Sequence, residues 1–280
     1  MAPHGVFAAP PDDAGIVAVL SSNSAPYQQA YAGFQRAWES PVPSYVLALS
    51  NPRTTAATRV VVAIGGKAAL HPYAEQAVLV YCLAPGIKID EQERPGRLIR
   101  IQMSPSLADI VAVLKEVQPE LKRLGVLWSG DSIKDYLNEN EMSAKLGVEI
   151  VSVRVRQIHM LPDHLRALQG RVDAIWLPAD AAIVTPTAFE TIKTFSLANA
   201  IPFYVPSEAL VDQGAVASIS VPFSEIGSLA ARAARQALDK THASIIYPET
   251  MHLTLNLTSA KICKLKLSAA ALKRAERIVP

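Results

Sequence analysis

Short apolar runs that do not alternate with polar residues constrain this chain most. Candidate strands of this kind are Ile16–Leu20, Val60–Ile64, Val78–Cys82, Gly125–Trp128, Ala174–Leu177, Phe203–Val205 and Ala217–Ile219, with Tyr45–Ala48 and Glu149–Val153 more mixed. A strand with one wet face alternates apolar and polar side chains; a strand apolar throughout is covered on both faces, as in a parallel sheet. Between the runs lie stretches with helical spacing. Pro26–Trp38 places Tyr27, Tyr31, Phe34 and Trp38 on one face. Leu107–Val117, Ile133–Leu146, Thr187–Asn199, Phe223–Asp239 and Ser268–Ile278 read the same way, and a short helical piece is expected from Pro119. Strand and helix alternating in this way predict an α/β protein with doubly wound parallel sheets.

The length of 280 residues is enough for two such lobes, each with its own core. The patterns "GIVAVLSSNSAPYQQAYAGF" and "LGVLWSGDSIKDYLNENEM" both read strand, small polar loop, helix, and they open the two halves. "ERPGRLIRIQMSPS", from Glu93 to Ser106, reads as the join, with a strand-like segment that crosses between lobes.

A net charge of +2 gives no electrostatic case for nucleic acid. No apolar run reaches the ~20 residues that span a bilayer. Two distant cysteines, Cys82 and Cys263, read more simply as buried thiols than as a disulfide. The segment 1–14 reads as a flexible leader and lacks the charged and apolar regions of a complete signal peptide.

Ligands of doubly wound sheets lie beyond the carboxyl ends of the strands. The first strand empties into Ser21, Ser22, Asn23 and Ser24; the third into Gly65, Gly66 and Lys67; the fourth into Leu83, Ala84 and Pro85. In the second half the loops are Ser129-Gly130-Asp131, Pro178-Ala179-Asp180 and Pro206-Ser207. Small residues let backbone amides approach a ligand, and adjacent helix N-termini favour an anion. Ser24 reads first as an N-cap, with Ser22 and Asn23 freer to face a ligand. Gly65-Gly66 is equally well a tight turn, Asp180 a cap, and Trp128 a core residue. Enzyme signatures are missing: "GGK" at Gly65–Lys67 is not a phosphate loop, and neither a dinucleotide fingerprint nor a nucleophile elbow occurs. His159 and His164 do not have metal-ligand spacing. No cofactor, metal or catalytic residue is expected.

Four stretches, "SSNSAPYQQAYAGF", "VQPELKRLGVLWS", "VDAIWLPADAAI" and "IPFYVPSEALVDQGAVASISVPFSEIGSLAARAARQAL", resemble in order and spacing the solute-binding proteins of ABC importers. The likeness is to the family typified by tryptophan- and other amino-acid-binding lipoproteins, of type I periplasmic-binding fold. It implies two Rossmann-like lobes, residues 15–102 plus 223–245 and residues 103–222 plus 246–280, that close by a hinge on a small polar ligand, an amino acid first. It implies a membrane permease as partner, an extracytoplasmic or periplasmic location, no catalysis and no membrane span of its own. By resemblance Ser22, Asn23, Gly65 and Gly66 would hold a carboxylate and Asp180 an ammonium group. Tyr27 or Trp128 would wall the side chain, with Ala84, Ser129 and Ser207 also on the ligand. "SNPRTTAATR" is shorter than its counterpart, so the first lobe is expected to lack a helix, and Ala84-Pro85 stands where the family commonly has Asp-Pro. The same architecture serves as the ligand-sensing domain of regulators, and a binding protein repurposed for a ligand other than an amino acid fits the same residues.

Overall fold

The computed structural model describes residues 15–129, 147–180, 183–239 and 243–280. The expected leader, the expected helix Ile133–Leu146, and Gly130 and Asp131 lie outside these residues. The chain divides into two units, each built from separate stretches: unit 1 runs to Met103 and resumes over Phe223–Ile246, and unit 2 takes Ser104–Pro222 and Tyr247–Pro280.

Unit 1 is a parallel sheet of β1 (Ile16–Leu20), β2 (Ser44–Val46), β3 (Val60–Ile64), β4 (Val78–Cys82), β5 (Leu98–Ile101) and a short strand at Ile245–Ile246. Every residue of β1 and β3 is buried. Unbroken apolar runs therefore form the centre of the sheet, as sequence logic requires. One face lies under the helices Ala25–Trp38, α1, and Phe223–Leu238. The other face buries Val17, Val19, Val61, Ala63, Leu79 and Tyr81 and is closed by the four-residue helix α2 (Gly66–Ala69), Tyr73, Tyr45, Leu47, Ile87 and Ile89. No helix occurs between β2 and β3, so loop side chains do the covering there. The strand expected over Tyr45–Ala48 stops at Val46, because Leu49 N–H turns back to the Val46 carbonyl at 2.8 Å.

Unit 2 opens with helix α3 (Leu107–Val117), whose Ser106 hydroxyl caps Asp109 N–H at 3.2 Å. Next come β6 (Arg123–Trp128), β7 (Glu149–Arg154), α4 (Leu161–Leu168), β8 (Ala174–Trp176), α5 (Pro186–Asn199), β9 (Phe203–Val205), α6 (Glu208–Asp212) and β10 (Ala217–Ser220). The Phe223–Leu238 helix of unit 1 is α7, and Ile245–Ile246 is β11. Unit 2 then resumes with β12 (His252–Asn256), α8 (Leu257–Ile262), α9 (Ala269–Arg274) and β13 (Arg277–Val279). Among the described residues, only the β10–β12 pairing in this sheet is antiparallel. Alternate residues of the central strands serve two cores. Val126, Trp128, Trp176 and Tyr204 pack with α3, and Leu127, Ile175, Leu177 and Phe203 pack with α4 and α5.

Two sequence expectations are corrected. The stretch from Pro119 is a turn, with Leu121 N–H on the Gln118 carbonyl at 3.0 Å. The helix expected over Ser268–Ile278 ends at Arg274. Glu276 takes Leu253 N–H at 2.6 Å, Arg277 pairs with Asp212, and the β-branched Ile278 and Val279 continue as β13 beside β12. Cys82 and Cys263 are free and buried, in different units.

Both sheets share one order. Unit 1 reads β2-β1-β3-β4-β5 and unit 2 reads β7-β6-β8-β9-β10. In each, the connections leave in opposite directions from the two central strands, which makes the β1/β3 and β6/β8 ends the topological switch points where such sheets bind ligands.

Candidate functional site

At the unit 1 switch point a buried residue outside the candidate set, Ser21, organises the others. It follows β1 directly, is 6 % exposed, and its Oγ accepts Ala68 N–H at 2.9 Å. This ties the end of β1 to the first turn of α2. Gly65 has φ +101, and a Cβ there would lie 2.5 Å from Ser21 Oγ and 2.7 Å from Tyr27 Cζ. Ser21 and Tyr27 therefore both pack against Gly65, and only glycine fits. Gly66 opens α2 with ordinary φ, and its nearest neighbour to an added Cβ is Ile87 Cγ1 at 3.4 Å. Its role is to start a helix rather than to supply left-handed backbone.

Ser22 is half-buried, and its Oγ accepts Ser24 N–H at 3.4 Å. Asn23 is exposed, and its Oδ1 accepts from Gln28 Nε2 at 3.0 Å. Ser24 holds the N-cap position of α1 but makes no side-chain cap bond. A cap hydroxyl serves the amide two or three residues on, and Pro26, two residues on, has none. Ala84 is 7 % exposed with its methyl in the apolar cluster on the second sheet face, just after Leu83 at φ +50.

At the unit 2 switch point a carboxylate replaces the amide. Asp180, in the loop after β8, is 9 % exposed. Ser129, directly after β6, donates its backbone N–H to Asp180 Oδ2 at 2.7 Å and its hydroxyl to Oδ1 and Oδ2 at 2.8 and 2.7 Å. The side chain of Asp180 thus clasps the neighbouring loop, where a local cap was the sequence alternative. Its main-chain oxygen accepts Ile183 N–H and Val184 N–H at 3.0 and 2.8 Å, which fixes the loop from the other side. Trp128 is 9 % exposed and part of the α3-side core, so it is a core residue. Its ring is also covered by Arg154, whose Cζ lies 5.1 Å from the ring centroid. Arg154 ends β7, and its Nε donates to the Ser129 carbonyl at 3.3 Å. Ser207 holds the N-cap position of α6, half-buried and without a side-chain cap bond.

The structure thus brings Ser21 and Tyr27 against Gly65, joins Ser129 directly to Asp180, and links Trp128 to Ser129 through Arg154. It places Ala84 in core packing. Ser21 and Arg154 are the residues that loop chemistry alone missed. Ser21 looked like one hydroxyl among three, and Arg154 like the end of a mixed strand. Their signal is position: each ends or directly follows a strand at, or next to, a switch point. Ser21 and Ser129 hold the same place in the two units, and their hydroxyls act with opposite sense. Ser21 accepts from a backbone amide; Ser129 donates to a carboxylate. Among the described residues no group of three or more His, Cys, Asp or Glu is placed to hold a metal, and no helix is long and apolar enough to cross a membrane.

Solved structures with this architecture are numerous. A conserved domain protein from Vibrio cholerae O1 biovar El Tor matches with a TM-score of 0.61 at 15 % identity, covering 94 % of this chain and 98 % of its own. A domain from Streptococcus pneumoniae in complex with L-Trp matches with a TM-score of 0.61 at 18 % identity, over 94 % and 100 % of the two chains. The ligand-free, open form of a substrate-binding protein with adhesive properties from Clostridium difficile matches with a TM-score of 0.63 at 13 % identity, over 94 % and 98 %. At these identities the likeness establishes the fold, that of type I periplasmic-binding proteins. No curated protein matches the sequence. The family described as ABC transporter substrate binding protein matches residues 35–279. This chain belongs to that family of ABC transporter substrate-binding proteins.

Proposed function

We propose that the chain captures an amino acid outside the cytoplasm and delivers it to the membrane permease of an ABC importer, with the strand-end loops of both units closing on the ligand by hinge motion. The observation that carries this reading is the opposite chemistry of the two equivalent switch points. Unit 1 offers strand-end loops of small residues, Ser22 after β1 and Gly65-Gly66 after β3, whose amides and hydroxyl suit a carboxylate. Unit 2 offers the Asp180 carboxylate held by Ser129, which suits an ammonium group. A zwitterion matches both; a neutral sugar matches neither charge. Tyr27, half-buried beside Gly65, is an aromatic side chain at the unit 1 point, and the L-Trp complex of the streptococcal domain agrees with a ligand of this class. The binding role is non-catalytic and calls for no cofactor.

A thermal-shift panel of L-amino acids tests the ligand class. A ligand present at 100 times its dissociation constant adds about 2.7 kcal/mol to stability. For an amino acid that shifts the parent, Asp180→Asn should weaken binding about ten- to a hundredfold, as expected for one charge-assisted hydrogen bond. The deaminated analogue should be affected far less. A flat response across the panel refutes the amino-acid reading; equal losses for the two compounds remove Asp180 from the ammonium role.

A further inference from the structure

Ser129 is held from both sides of its Cα. Its N–H, on the Trp128 side, goes to Asp180 Oδ2 at 2.7 Å, and its carbonyl, on the far side, accepts from Arg154 Nε at 3.3 Å. A residue has two soft backbone dihedrals, one on each side of Cα. Fixing both neighbouring peptides fixes φ and ψ, and so aims the hydroxyl that also reaches Asp180 at 2.7–2.8 Å.

Arg154 is anchored for this task in two ways. It faces Trp128 in register across the β6–β7 pair, and its guanidinium carbon lies 5.1 Å from the Trp128 ring centroid. Val155 N–H to the Trp128 carbonyl at 2.7 Å continues the pairing one residue further. A planar guanidinium can lie on a ring while its Nε reaches a carbonyl at the edge; a lysine ammonium carries charge and donors but not this shape. We propose that Arg154 is the positioning residue of the unit 2 site: by holding the Trp128 ring and the Ser129 carbonyl it sets both Ser129 donors on the Asp180 carboxylate. The three strand ends of β7, β6 and β8 are joined in this way by one polar chain, Arg154 to Ser129 to Asp180. The consequence for binding rests on the reading of Asp180 as the ammonium acceptor; the consequence for Ser129 does not.

The test has two arms on the full chain. In the first, without ligand, amide hydrogen exchange is followed by NMR in the parent, Arg154→Met and Arg154→Lys. Arg154→Met keeps most of the apolar stem and should speed Ser129 exchange about tenfold, as for one lost hydrogen bond. Arg154→Lys should fall between, and the amides of α3 should be unchanged, which separates local loosening from misfolding. In the second arm L-tryptophan and its deaminated analogue indole-3-propionate are titrated. Arg154→Met should narrow the preference for L-tryptophan, and should narrow it no further when combined with Asp180→Asn, because both act through one chain of contacts. Faster Ser129 exchange in Arg154→Met, with a parent that ignores L-tryptophan, supports the positioning role and counts against tryptophan as the ligand. Unchanged Ser129 exchange in both variants overturns the proposal, as does a full, additive loss in the double variant.

Discussion

Helices α1 and α7 of unit 1 touch backbone to backbone, and one methyl group should part them. A Cβ added at Gly227 would lie 1.7 Å from the Ala30 carbonyl oxygen and 2.8 Å from Phe34 N; one at Gly33 would lie 1.9 Å from the Ser224 carbonyl oxygen. Real Cβ atoms essentially never come within 3.0 Å of such neighbours, so the helices must separate by more than an ångström. The Ser228 hydroxyl on the Gly33 carbonyl at 3.3 Å would be stretched, and the buried residues Ala30, Phe34, Ala230 and Ala231 would lose contact. Overpacking of this kind costs ~1–3 kcal/mol, and more where backbone must move. Replacing a mid-helix glycine by alanine otherwise gains ~1 kcal/mol of helix propensity. The terms oppose, and the steric one wins: Gly227→Ala should lose about 2 kcal/mol or more. The assay is urea unfolding followed by far-UV circular dichroism, with thermal melting as a check. For a unit of this size the melting temperature should fall by roughly 4 °C per kcal/mol. Gly33→Ala should behave alike, and the double variant should lose less than the sum, because the first methyl has already opened the interface. A Gly227→Ala protein as stable as its parent, or more so, would refute the close approach, since propensity would then be the only term acting.

Two further outcomes follow from the same kind of accounting. Gly65→Ala should destabilise by ~2 kcal/mol, because it forces φ +101 on a residue with a Cβ and drives that Cβ to 2.5 Å from Ser21 Oγ, whereas Gly66→Ala should be close to neutral; denaturant midpoints of the two variants decide it. At Asp173 burial works to raise the carboxyl, but hydrogen bonds from the Arg123 side chain at 2.7 Å and from the Lys122 and Arg123 amides outweigh it and hold the pKa below the ordinary value. A lowered folded-state pKa stabilises the protein above the unfolded-state pKa of ~4, and this is lost as pH falls through the folded value. Parent and Asp173→Asn should therefore differ in unfolding free energy at neutral pH and converge in acid; a gap constant down to the acid transition would exclude Asp173 as the titrating group.

The legible part of this fold was the part with two covered faces. "IVAVL" and "VVVAI" are short and rich in β-branched residues, which favours covered strands over buried helix, and the bounds of β1, β3, β4 and α3 follow from the apolar pattern. The C-terminal segment was not legible in that way. "SAAALKRAERIV" carries helical composition throughout, and the switch to strand at Arg277 depends on Asp212, Glu276 and the free edge of β12, partners that a local pattern does not contain. The short strands at Ile245–Ile246 and His252–Asn256 were missed for the same reason. The loops to search could be read from strand order, since ligand chemistry gathers where it reverses. Which hydroxyl does the work could not. Ser21, Ser22 and Ser24 are alike in sequence, and burial separates Ser21, which ties β1 to α2, from the exposed Ser24. Likewise nothing in "VSVRV" marks Arg154 until β7 is paired beside Trp128.

The contact between Gly33 and Gly227 also sets a clock. The two residues are 194 positions apart in the chain. At ~5–20 residues per second of synthesis, α1 waits about 10–40 s for the helix it must touch. During that interval β6 to β10, the parallel ladder of unit 2, have all been made, while the sheet that was made first has one of its two helical covers absent. The unit begun first is therefore held open while the first stretch of the other is made, and α1 spends the interval with a seam of small residues, Ala30 and Gly33, open to any other helix that comes near.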